Sequence, residues 1–497
     1  MTSLILDSLR NIDPARAAID DGTRRLSYAE LHRLVSEEEQ WLRDHDVRRC
    51  AMVAENGARW IVSDLALLGS EALNVPIPGS FTAAQVDHVL DDASIDSVLT
   101  DDAERFTAAH PAFVRVAISE HTGFALLQRP TLLQTKLRVQ VGKVTYTSGS
   151  TGAPKGVCLT TAAMETVAQS LVTATAELGI QRHMCLLPLP TLLENIAGVY
   201  APLLLGAQIF APSTASIGMS YSGLNVAALL RSISTTEPDS LVLVPELLRV
   251  LVQASLGGWR APASLKFIAV GGAAVSTELL NRAARAGLPV FQGYGLSECA
   301  SVVCLNTPAH NRHGSVGRPL PHARVRISAD GEICVSGATS SGYLNERAPA
   351  PTEIRTGDLG EIDADGFVYV RGRAKSMFIT SMGRNVTPEW VESELTAEPA
   401  ILHAMVVGEA QPHPVALLVA AANVSFRTLS DAIARANARL PDYARVHRWA
   451  LFPEAPSPRN GLMTANGRLR RAEIVSRYGA LFDSLYDHED TDVHAIS

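Results

Sequence analysis

Residues 144–157 read Val144-Thr-Tyr-Thr-Ser-Gly-Ser-Thr-Gly-Ala-Pro-Lys-Gly-Val157, and this stretch predicts the fold of the chain. Glycines let backbone N–H groups approach an anion closely, while hydroxyl groups and an ammonium add further donors. An apolar, strand-like run at 137–146 precedes the stretch, and a helical pattern of apolar residues follows it from 164 to 178. A strand, a Gly/Ser/Thr loop with a lysine and then a helix are typical of a phosphate-binding site.

Two other interpretations of this loop are weaker. Gly/Ser stretches are often flexible linkers, but a linker needs no lysine, and the chain has only five lysines against 38 arginines. The loop is not the P-loop of common nucleoside triphosphatases, since the spacing G-x-x-x-x-G-K-[ST] is absent. We therefore expect Lys155 to bind nucleotide phosphate.

Length and composition indicate a globular protein of several domains. A chain of 497 residues is too long for a single core, which predicts about two to four domains. The proportions of apolar and charged residues, 47% and 19%, are ordinary. Apolar runs at 51–54 and 97–100, separated by helical patterns, favour α/β layers. A net charge of −8 provides no basic surface for nucleic acid.

The sequence predicts a cytoplasmic protein without a transmembrane segment. Residues 1–7 lack the basic start and the continuous apolar run of a signal peptide. The most apolar stretch, 196–212, contains glycines, prolines and a glutamine, so we expect it to be buried core. The six cysteines form no C-x-x-C pair and are expected to be reduced and mostly buried, without a metal or disulfide role.

Two further stretches end an apolar run on glycines and polar residues. Residues 265–274 include Gly271-Gly272-Ala273, and residues 289–298 end on Gly293-Tyr-Gly-Leu-Ser-Glu298. Open α/β sheets bind ligands at the carboxyl ends of their strands, where such glycines lie. A tight turn without a ligand would have a similar pattern at Gly271 and Gly272.

A third stretch, residues 355–375, carries further polar groups on two predicted strands. Asp358 and Arg373 lie on either side of an Asp-Gly turn at 363–366, which predicts a hairpin. A carboxylate such as Asp358 accepts hydrogen bonds from paired hydroxyl groups.

These motifs together resemble the adenylate-forming superfamily, which comprises acyl-CoA synthetases, adenylation domains of peptide synthetases and luciferases. The resemblance covers about residues 20–475 and rests on the three stretches 144–157, 289–298 and 355–375. It implies an α/β fold with a large N-terminal domain of several sheets, residues 1–373, that binds ATP and the acid. A small mobile C-terminal α/β lid, residues 376–497, would follow, with its hinge near Lys375.

The resemblance also implies roles for the motif residues around ATP. The triphosphate would contact the first loop, namely Thr147, Ser148, Gly149, Ser150, Thr151, Gly152 and the catalytic Lys155. The adenosine would contact the two later motifs, namely Gly271, Gly272, Ala273, Tyr294 and Gly295, with Tyr294 stacked on the adenine. Ser297 would contact the α-phosphate, and Glu298 would be a catalytic residue and the Mg²⁺ ligand. The ribose would contact Asp358 and Arg373.

Residues 186–195, Leu-Leu-Pro-Leu-Pro-Thr-Leu-Leu-Glu-Asn, resemble the mouth of the acid pocket in long-chain fatty acyl-CoA synthetases. Those enzymes usually carry a histidine where this chain has Thr191. Burying a substrate ammonium would require an acidic partner, and Glu194 is the only acid between residues 185 and 210. We therefore expect an apolar acid, in particular a fatty acid, near Thr191 and Glu194, although the prolines could simply shape the exit of a strand.

The chain departs from the superfamily at its last motif. The expected Thr-x-x-Gly-Lys-x-x-Arg reads Thr464-Ala-Asn-Gly-Arg468-Leu-Arg-Arg471, so Arg468 occupies the position of a catalytic lysine. Arginine keeps the positive charge but differs in geometry. Three alternatives remain open: Arg468 performs the role, the enzyme is slow at adenylation, or the chain is a degenerate protein that binds nucleotide or acyl-AMP.

The resemblance implies an ATP- and Mg²⁺-dependent carboxylate ligase. The acid would form acyl-AMP with release of pyrophosphate, and the acyl group would pass to the thiol of CoA or to the phosphopantetheine of a separate acyl carrier protein. A relative that passes the acyl group to a non-thiol acceptor is a further alternative, and a luciferase-type oxygenase rests on fold alone.

Overall fold

The computed structural model describes residues 3–130, 141–147, 154–220, 223–346, 349–457, 459–464 and 469–486. The strands of the N-terminal part are β1 (Ala17–Asp20), β2 (Arg25–Ser27), β3 (Arg49–Val53), β4 (Leu73–Pro76), β5 (Ser97–Thr100), β6 (Val114–Ile118), β7 (Ala125–Gln128), β8 (Val141–Thr147), β9 (Lys155–Thr160), β10 (Arg182–Met184), β11 (Gln208–Phe210), β12 (Met219–Ser220), β13 (Gly223–Leu224), β14 (Ser240–Leu243), β15 (Phe267–Val270), β16 (Val290–Leu296), β17 (Ser301–Leu305), β18 (Arg318–Pro319), β19 (Ala323–Ile327), β20 (Glu332–Gly337), β21 (Ile354–Ile362) and β22 (Val368–Arg373).

The helices of the same part are α1 (Leu4–Asn11), α2 (Tyr28–Asp44), α3 (Ala58–Gly69), α4 (Ala83–Asp92), α5 (Ala103–Ala109), α6 (Thr161–Thr175), α7 (Leu192–Glu194), α8 (Ala201–Leu204), α9 (Val226–Thr236), α10 (Pro245–Leu256) and α11 (Thr277–Arg285). A π-helical segment, Asn195–Tyr200, joins α7 to α8, and the 3₁₀ turns are Ala176–Leu178 and Ser297–Cys299.

Two large sheets with mainly parallel centres form the scaffold. The first has the order β6-β7-β5-β3-β4-β8-β9, and the second has the order β18-β17-β16-β15-β14-β10-β11-β1-β2. Their central strands are apolar runs buried at every position, for example β5 and β14, as expected where helices cover both faces of a parallel sheet. The sheet order brings the carboxyl ends of β14, β15 and β16 side by side.

The third sheet is antiparallel and contains Asp358 and Arg373 of the third stretch, residues 355–375. Its order is β19-β20-β21-β22, and Asp358 on β21 is the register partner of Arg373 on β22. The hairpin turn predicted at 363–366 is present, since the N–H of Gly366 donates to the carbonyl of Asp363 at 3.0 Å.

The C-terminal part has its own core and sheet. Its strands are β23 (Phe378–Ile379), β24 (Asn385–Val386), β25 (Ile401–Val407), β26 (Val415–Ala420) and β27 (Arg448–Leu451), and its helices are α12 (Pro388–Thr396), α13 (Phe426–Ala438) and α14 (Arg471–Ser484), with a 3₁₀ turn at Asp442–Ala444. Strands β25, β26 and β27 form one sheet, whose faces pack against apolar residues of the same part of the chain. A large N-terminal and a smaller C-terminal α/β unit are therefore confirmed; the exact boundaries 1–373 and 376–497 stay a prediction.

Two arginines of the N-terminal part contact the C-terminal part. Arg282 on α11 donates to the carbonyl of Ala397 at 2.8 Å and lies 3.3 Å from the buried carboxylate of Glu398. Arg249 on α10 donates to the carbonyl of Thr396 at 3.2 Å. Both cations reach the carboxyl-terminal end of α12, where the free carbonyl groups of a helix attract positive charge.

Several segments have the structure that the sequence predicts. The runs at 51–54 and 97–100 correspond to β3 and β5, and the stretch 196–212 includes the buried π-helical segment, α8 and β11. The six cysteines are buried and free. Among the described helices, none combines the length and apolar character needed to cross a bilayer.

Candidate active site

The predicted phosphate loop connects the two strands of a hairpin. Thr147, the last residue of β8, is the register partner of Lys155, the first residue of β9, and Lys155 is exposed. The other predicted loop residues, namely Ser148, Gly149, Ser150, Thr151 and Gly152, lie outside the described residues. The hairpin therefore fixes the base of the loop and places the lysine at its end.

Tyr343 connects Lys155 to Glu298. The Lys155 ammonium nitrogen lies 5.2 Å from the centroid of the Tyr343 ring, and the Tyr343 hydroxyl donates to Oε1 of Glu298 at 2.7 Å. Burial, and then the neighbouring carboxylate, raise the pKa of Tyr343 above its ordinary value. The hydroxyl therefore stays protonated and remains a donor. No local motif distinguishes Tyr343 from the other tyrosines, so its place in this group was not predictable from the sequence.

The turn after β16 fixes the position of Glu298. A Cβ atom at Gly295 would lie 1.7 Å from the carbonyl oxygen of Ser301, so a side chain there would collide with the returning strand β17. Ala300 and Ser301 have φ angles of 51° and 100°, which are unfavourable for residues with a side chain. This strained turn between β16 and β17 contains Ser297 and Glu298, which are half-buried in a 3₁₀ turn at the end of β16.

Tyr294, Asp358 and Arg373 form a second polar group next to this turn. The Tyr294 hydroxyl donates to Oδ2 of Asp358 at 2.6 Å, and Nε of Arg373 lies 2.8 Å from Oδ1. Asp358 is only 5% exposed, so the two donors satisfy a nearly buried carboxylate. Burial, and then Asp358, raise the pKa of Tyr294. Stacking of Tyr294 on an adenine stays a prediction. In the structure, the Tyr294 hydroxyl contacts Asp358, the residue that is predicted to bind ribose.

The Gly271–Gly272–Ala273 turn lies at the carboxyl end of β15, as predicted. The N–H of Gly271 donates to the carbonyl of Leu243 at the end of β14. A Cβ at Gly271 would lie 3.3 Å from the carbonyl oxygen of Gly293 on β16, and Gly272 has a φ of +83°. The backbone therefore passes close to β16, and Gly272 and Ala273 are exposed.

The two predicted acid-pocket residues differ in their surroundings. Thr191 is half-buried and donates from Oγ1 to the carbonyl of Pro188 at 2.6 Å. Glu194 is fully buried: one carboxylate oxygen lies 3.3 Å from Nε2 of His183, and the other accepts the N–H of Leu187. These contacts tie Glu194 to the protein, and its contact with a substrate stays a prediction.

His183, Cys185 and Glu194 form a buried group whose ligand atoms lie within 4.8 Å of one another. Each already has a protein partner: His183 Nδ1 contacts Ser240 Oγ at 2.9 Å, and the Cys185 thiol faces the carbonyl of Gly198 at 3.5 Å. Burial, and then Glu194, raise the pKa of the Cys185 thiol, which disfavours the thiolate that metals bind. The carboxylate of Glu298 is the better candidate for a metal.

The remaining predicted residues belong to the C-terminal part or to its connection. Lys375 is exposed in a turn directly after β22. Arg468 lies outside the described residues. The structure therefore links Lys155 to Glu298 through Tyr343, and it links Tyr294 to Arg373 through Asp358. The contacts of Arg468 and motion about Lys375 stay predictions.

Family models match both parts of the chain. The model for the AMP-binding enzyme family matches residues 10–344, and the model for the C-terminal domain of AMP-binding enzymes matches residues 375–490. Known relatives match along most of the chain. This chain is 29% identical to the 2-succinylbenzoate–CoA ligase of Bacillus mycoides, in an alignment that covers 93% of this chain and 96% of the relative. It is 27% identical to the long-chain-fatty-acid–CoA ligase FadD15 of Mycobacterium bovis, covering 86% of each chain.

Solved structures of similar fold have bound acyl-adenylates. The o-succinylbenzoate CoA synthetase MenE of Bacillus subtilis, in complex with its acyl-adenylate intermediate, has a TM-score of 0.77 at 24% identity, covering 95% of this chain and 98% of that chain. The anthranilate CoA ligase AuaEII, in complex with anthranoyl-AMP, has a TM-score of 0.79 at 19% identity, covering 95% and 96%. At these identities the likeness concerns the fold. The two family models cover most of the sequence, and the chain thus belongs to the AMP-binding enzyme family of the adenylate-forming superfamily, as an AMP-forming carboxylate ligase of the acyl-CoA ligase type.

Proposed function

We propose that this ligase converts an apolar carboxylic acid and ATP to acyl-AMP and pyrophosphate, and then transfers the acyl group to the thiol of CoA. One observation carries the proposal. A series of contacts runs from Lys155 through Tyr343 to Glu298, and a second runs from Tyr294 through Asp358 to Arg373. A cation, a carboxylate for a metal and a carboxylate for hydroxyl groups are the set of groups that a nucleoside triphosphate requires.

In the first step, an oxygen of the substrate carboxylate attacks the α-phosphorus of ATP, and the bond to pyrophosphate breaks. Lys155 would neutralise phosphate charge, and Asp358 would accept hydrogen bonds from the ribose hydroxyls. Arg468 would neutralise the charge that develops on the α-phosphate. Such catalysis consists mainly of positioning and charge stabilisation.

The chemistry of Glu298 fits a magnesium ligand. Its carboxylate is half-buried, and the Tyr343 hydroxyl occupies one lone-pair direction of Oε1, so further acceptor positions remain on the two oxygens. Magnesium usually takes one or two carboxylates together with phosphate oxygens, and when bound it neutralises the phosphate charge.

The surroundings of Glu194 support an apolar acid. Because its buried carboxylate is held by His183 and by the N–H of Leu187, Glu194 is engaged by the protein rather than presented to a substrate ammonium. The neighbouring Leu192 and Ile196 are buried and apolar. Relatives named for a long-chain fatty acid and for 2-succinylbenzoate indicate two classes, alkyl and aryl acids. We favour a fatty acid and treat an aryl acid as the second candidate.

In the second step, a thiol attacks the acyl carbon and AMP leaves. The C-terminal part would rotate about Lys375 between the two steps, since domain rotation is a common way to exchange catalytic groups. CoA is the proposed acceptor, as in the names of the relatives. A carrier protein, a non-thiol acceptor and a protein that binds acyl-AMP without turnover are the alternatives.

Pyrophosphate release in the presence of Mg²⁺ and ATP tests this proposal. The panel of acids would run from acetate to palmitate and include benzoate and 2-succinylbenzoate, each with and without CoA or a holo carrier protein. We expect release with a maximum among the longer fatty acids and a further rise with CoA. A maximum with the aryl acids would favour the second candidate, and release without any effect of a thiol would favour a non-thiol acceptor.

Two lysine variants provide matched controls. Lys155→Met removes the proposed phosphate ligand, and Lys266→Met removes a lysine that instead contacts Asp239 and the carbonyl of Gly179. We expect loss of activity with Lys155→Met alone. Absence of pyrophosphate release from the native chain with every acid, while ATP still binds, would contradict the ligase proposal.

A further inference from the structure

Tyr343 lies between the two oppositely charged groups of the candidate active site. The ammonium of Lys155 lies over the ring, 5.2 Å from its centroid, and the hydroxyl donates to Glu298 at 2.7 Å. Among the residues that the structure describes, neither Lys155 nor Glu298 forms an ion pair within 4.0 Å. A lysine and a glutamate that share one aromatic neighbour are thus near each other but separated.

Separation of these two charges is not what electrostatics alone would produce. Opposite charges attract, and the attraction strengthens where the site is partly shielded from water. A Lys155–Glu298 ion pair would occupy the ammonium that a phosphate needs and the carboxylate that a metal needs. An enzyme that binds both therefore benefits from a group that contacts each charge favourably without joining them.

A tyrosine has the chemistry for this task. The face of an aromatic ring is electron-rich and attracts an ammonium, whereas a phenol hydroxyl donates a strong hydrogen bond to a carboxylate. One side chain can therefore contact the cation with its face and the anion with its edge. Phenylalanine would retain only the first contact, and an aliphatic residue would retain neither.

The backbone holds Tyr343 in this place. The N–H of Leu344 donates to the carbonyl of Gly156 at 2.7 Å, and the N–H of Cys158 donates to the carbonyl of Gly342 at 3.0 Å. Residues 342–344 thus pair with β9, the strand that begins with Lys155, and Tyr343 itself is in bridge register with Val157. Pairing with β9 fixes the distance between the ring and the lysine.

We infer that Tyr343 is a positioning residue that keeps Lys155 and Glu298 unpaired until nucleotide and metal bind. The inference rests on the proposed function, because it assigns phosphate to Lys155 and a metal to Glu298. It predicts that loss of the ring lets the two charges pair, and that neutralising Glu298 reverses the effect.

Amine labelling with peptide mass spectrometry tests the inference without ATP or acid. The chain contains only five lysines, so Lys155 can be followed individually. Lys266, with 43% of its side chain exposed, provides an internal reference, and the buried Lys143 provides an unreactive one. An ammonium paired with a carboxylate releases its proton less readily and is labelled more slowly.

We expect Tyr343→Leu to slow labelling of Lys155 relative to Lys266 by about threefold or more. The double variant Tyr343→Leu/Glu298→Gln should restore the native rate, and Tyr343→Phe, which keeps the ring, should leave it unchanged. Calorimetry should show about tenfold weaker binding of metal-free ATP by Tyr343→Leu, with recovery in the double variant. Thermal melts would confirm that each variant is folded.

Two results would overturn the inference. The first is a rate of Lys155 labelling in Tyr343→Leu that equals the native rate, or a decrease in this rate that Glu298→Gln does not reverse. The other needs no change at Tyr343: if Glu298→Gln alone speeds labelling of Lys155 by about threefold, the two charges are already paired in the native chain. A native enzyme that releases no pyrophosphate would contradict the proposed function but would leave the labelling result intact.

Discussion

Asp358 connects two separate motifs through one carboxylate. Its oxygens accept from the Tyr294 hydroxyl on β16 and from the Arg373 guanidinium on β22, and only 5% of the residue is exposed. A ribose would therefore meet a carboxylate that is already oriented by two protein donors. Such orientation reduces the loss of side-chain entropy on binding.

Asp358→Asn should weaken ATP binding by about 10–100-fold, because a hydrogen bond to a charged group contributes about 1.5–3 kcal/mol. The native chain should prefer ATP over 2′-deoxyATP, and the variant should lose most of this preference. Calorimetry with both nucleotides would measure it. Asp365→Asn, at the exposed end of the β21–β22 turn, is the control. If Asp358→Asn prefers ATP over 2′-deoxyATP as strongly as the native chain does, Asp358 does not bind the ribose.

Arg468 carries the charge that the superfamily usually places on a lysine. Arg468→Ala should slow pyrophosphate release by roughly 10²–10³-fold, the effect of removing one donor that stabilises a transition state. Arg468→Lys should retain most of the rate if charge is the main requirement. Arg459→Ala removes another arginine of the C-terminal part and should leave the rate unchanged. If Arg468→Ala releases pyrophosphate as fast as the native chain, another residue performs this role.

At the scale of elements, strand β8 connects the phosphate loop to a buried polar network. The Lys143 ammonium lies 2.7 Å from Asp64 on α3, 2.5 Å from Oδ1 of Asn195 and 3.0 Å from the Tyr200 hydroxyl. Burial lowers the pKa of Lys143, and Asp64 opposes the shift. The π-helical segment Asn195–Tyr200 directly follows the predicted acid-pocket residues, so the network joins β8 to the predicted acid-binding region.

Lys143→Met should destabilise the chain by about 3–5 kcal/mol, because it leaves the Asp64 charge buried without its cation. The double variant Lys143→Met/Asp64→Asn should recover much of this loss, since no unpaired charge remains. Urea unfolding followed by circular dichroism would measure both. Lys266→Met, which alters a partly exposed lysine, should change stability by less than about 0.5 kcal/mol. Equal destabilisation by the single and the double variant would contradict an electrostatic origin.

At the scale of the whole molecule, the C-terminal part follows the turn after β22 and is also held at the end of α12. The turn contains Lys375, directly after β22. At the end of α12, Arg249 and Arg282 donate to main-chain carbonyls. A few hydrogen bonds of this kind can be exchanged during a rotation more easily than a large apolar interface.

Lys375→Pro tests the rotation, because proline restricts φ at the proposed hinge and at the residue before it. We expect thioester formation to slow on the order of tenfold relative to pyrophosphate release, since only the second step would need the rotated arrangement. Single-turnover assays of the two steps would give this ratio. Lys375→Ala, which removes the side chain but not the freedom of the backbone, is the control. An unchanged ratio in Lys375→Pro would place the hinge at another residue.

Much of this protein could be predicted from local sequence. The three motifs and the hairpin turn at 363–366 follow from rules that act within a few residues, such as glycine in tight turns. The class of ligand also follows, because an anion and a metal each require particular donor groups. These features depend on chemistry that neighbouring residues supply by themselves.

The tertiary structure alone decided which side chains meet. Tyr343 and Glu298 are 45 residues apart, and Tyr294 and Asp358 are 64 residues apart. The pairing of residues 342–344 with β9 and the return of β17 along β16 bring them together, and no local pattern specifies such a register. Glu194 shows the same limit: the family resemblance predicts that it lies near a substrate, and only the structure shows that His183 is its partner. Contacts between distant segments depend on how the whole sheet assembles, and the sequence of one segment does not contain that information.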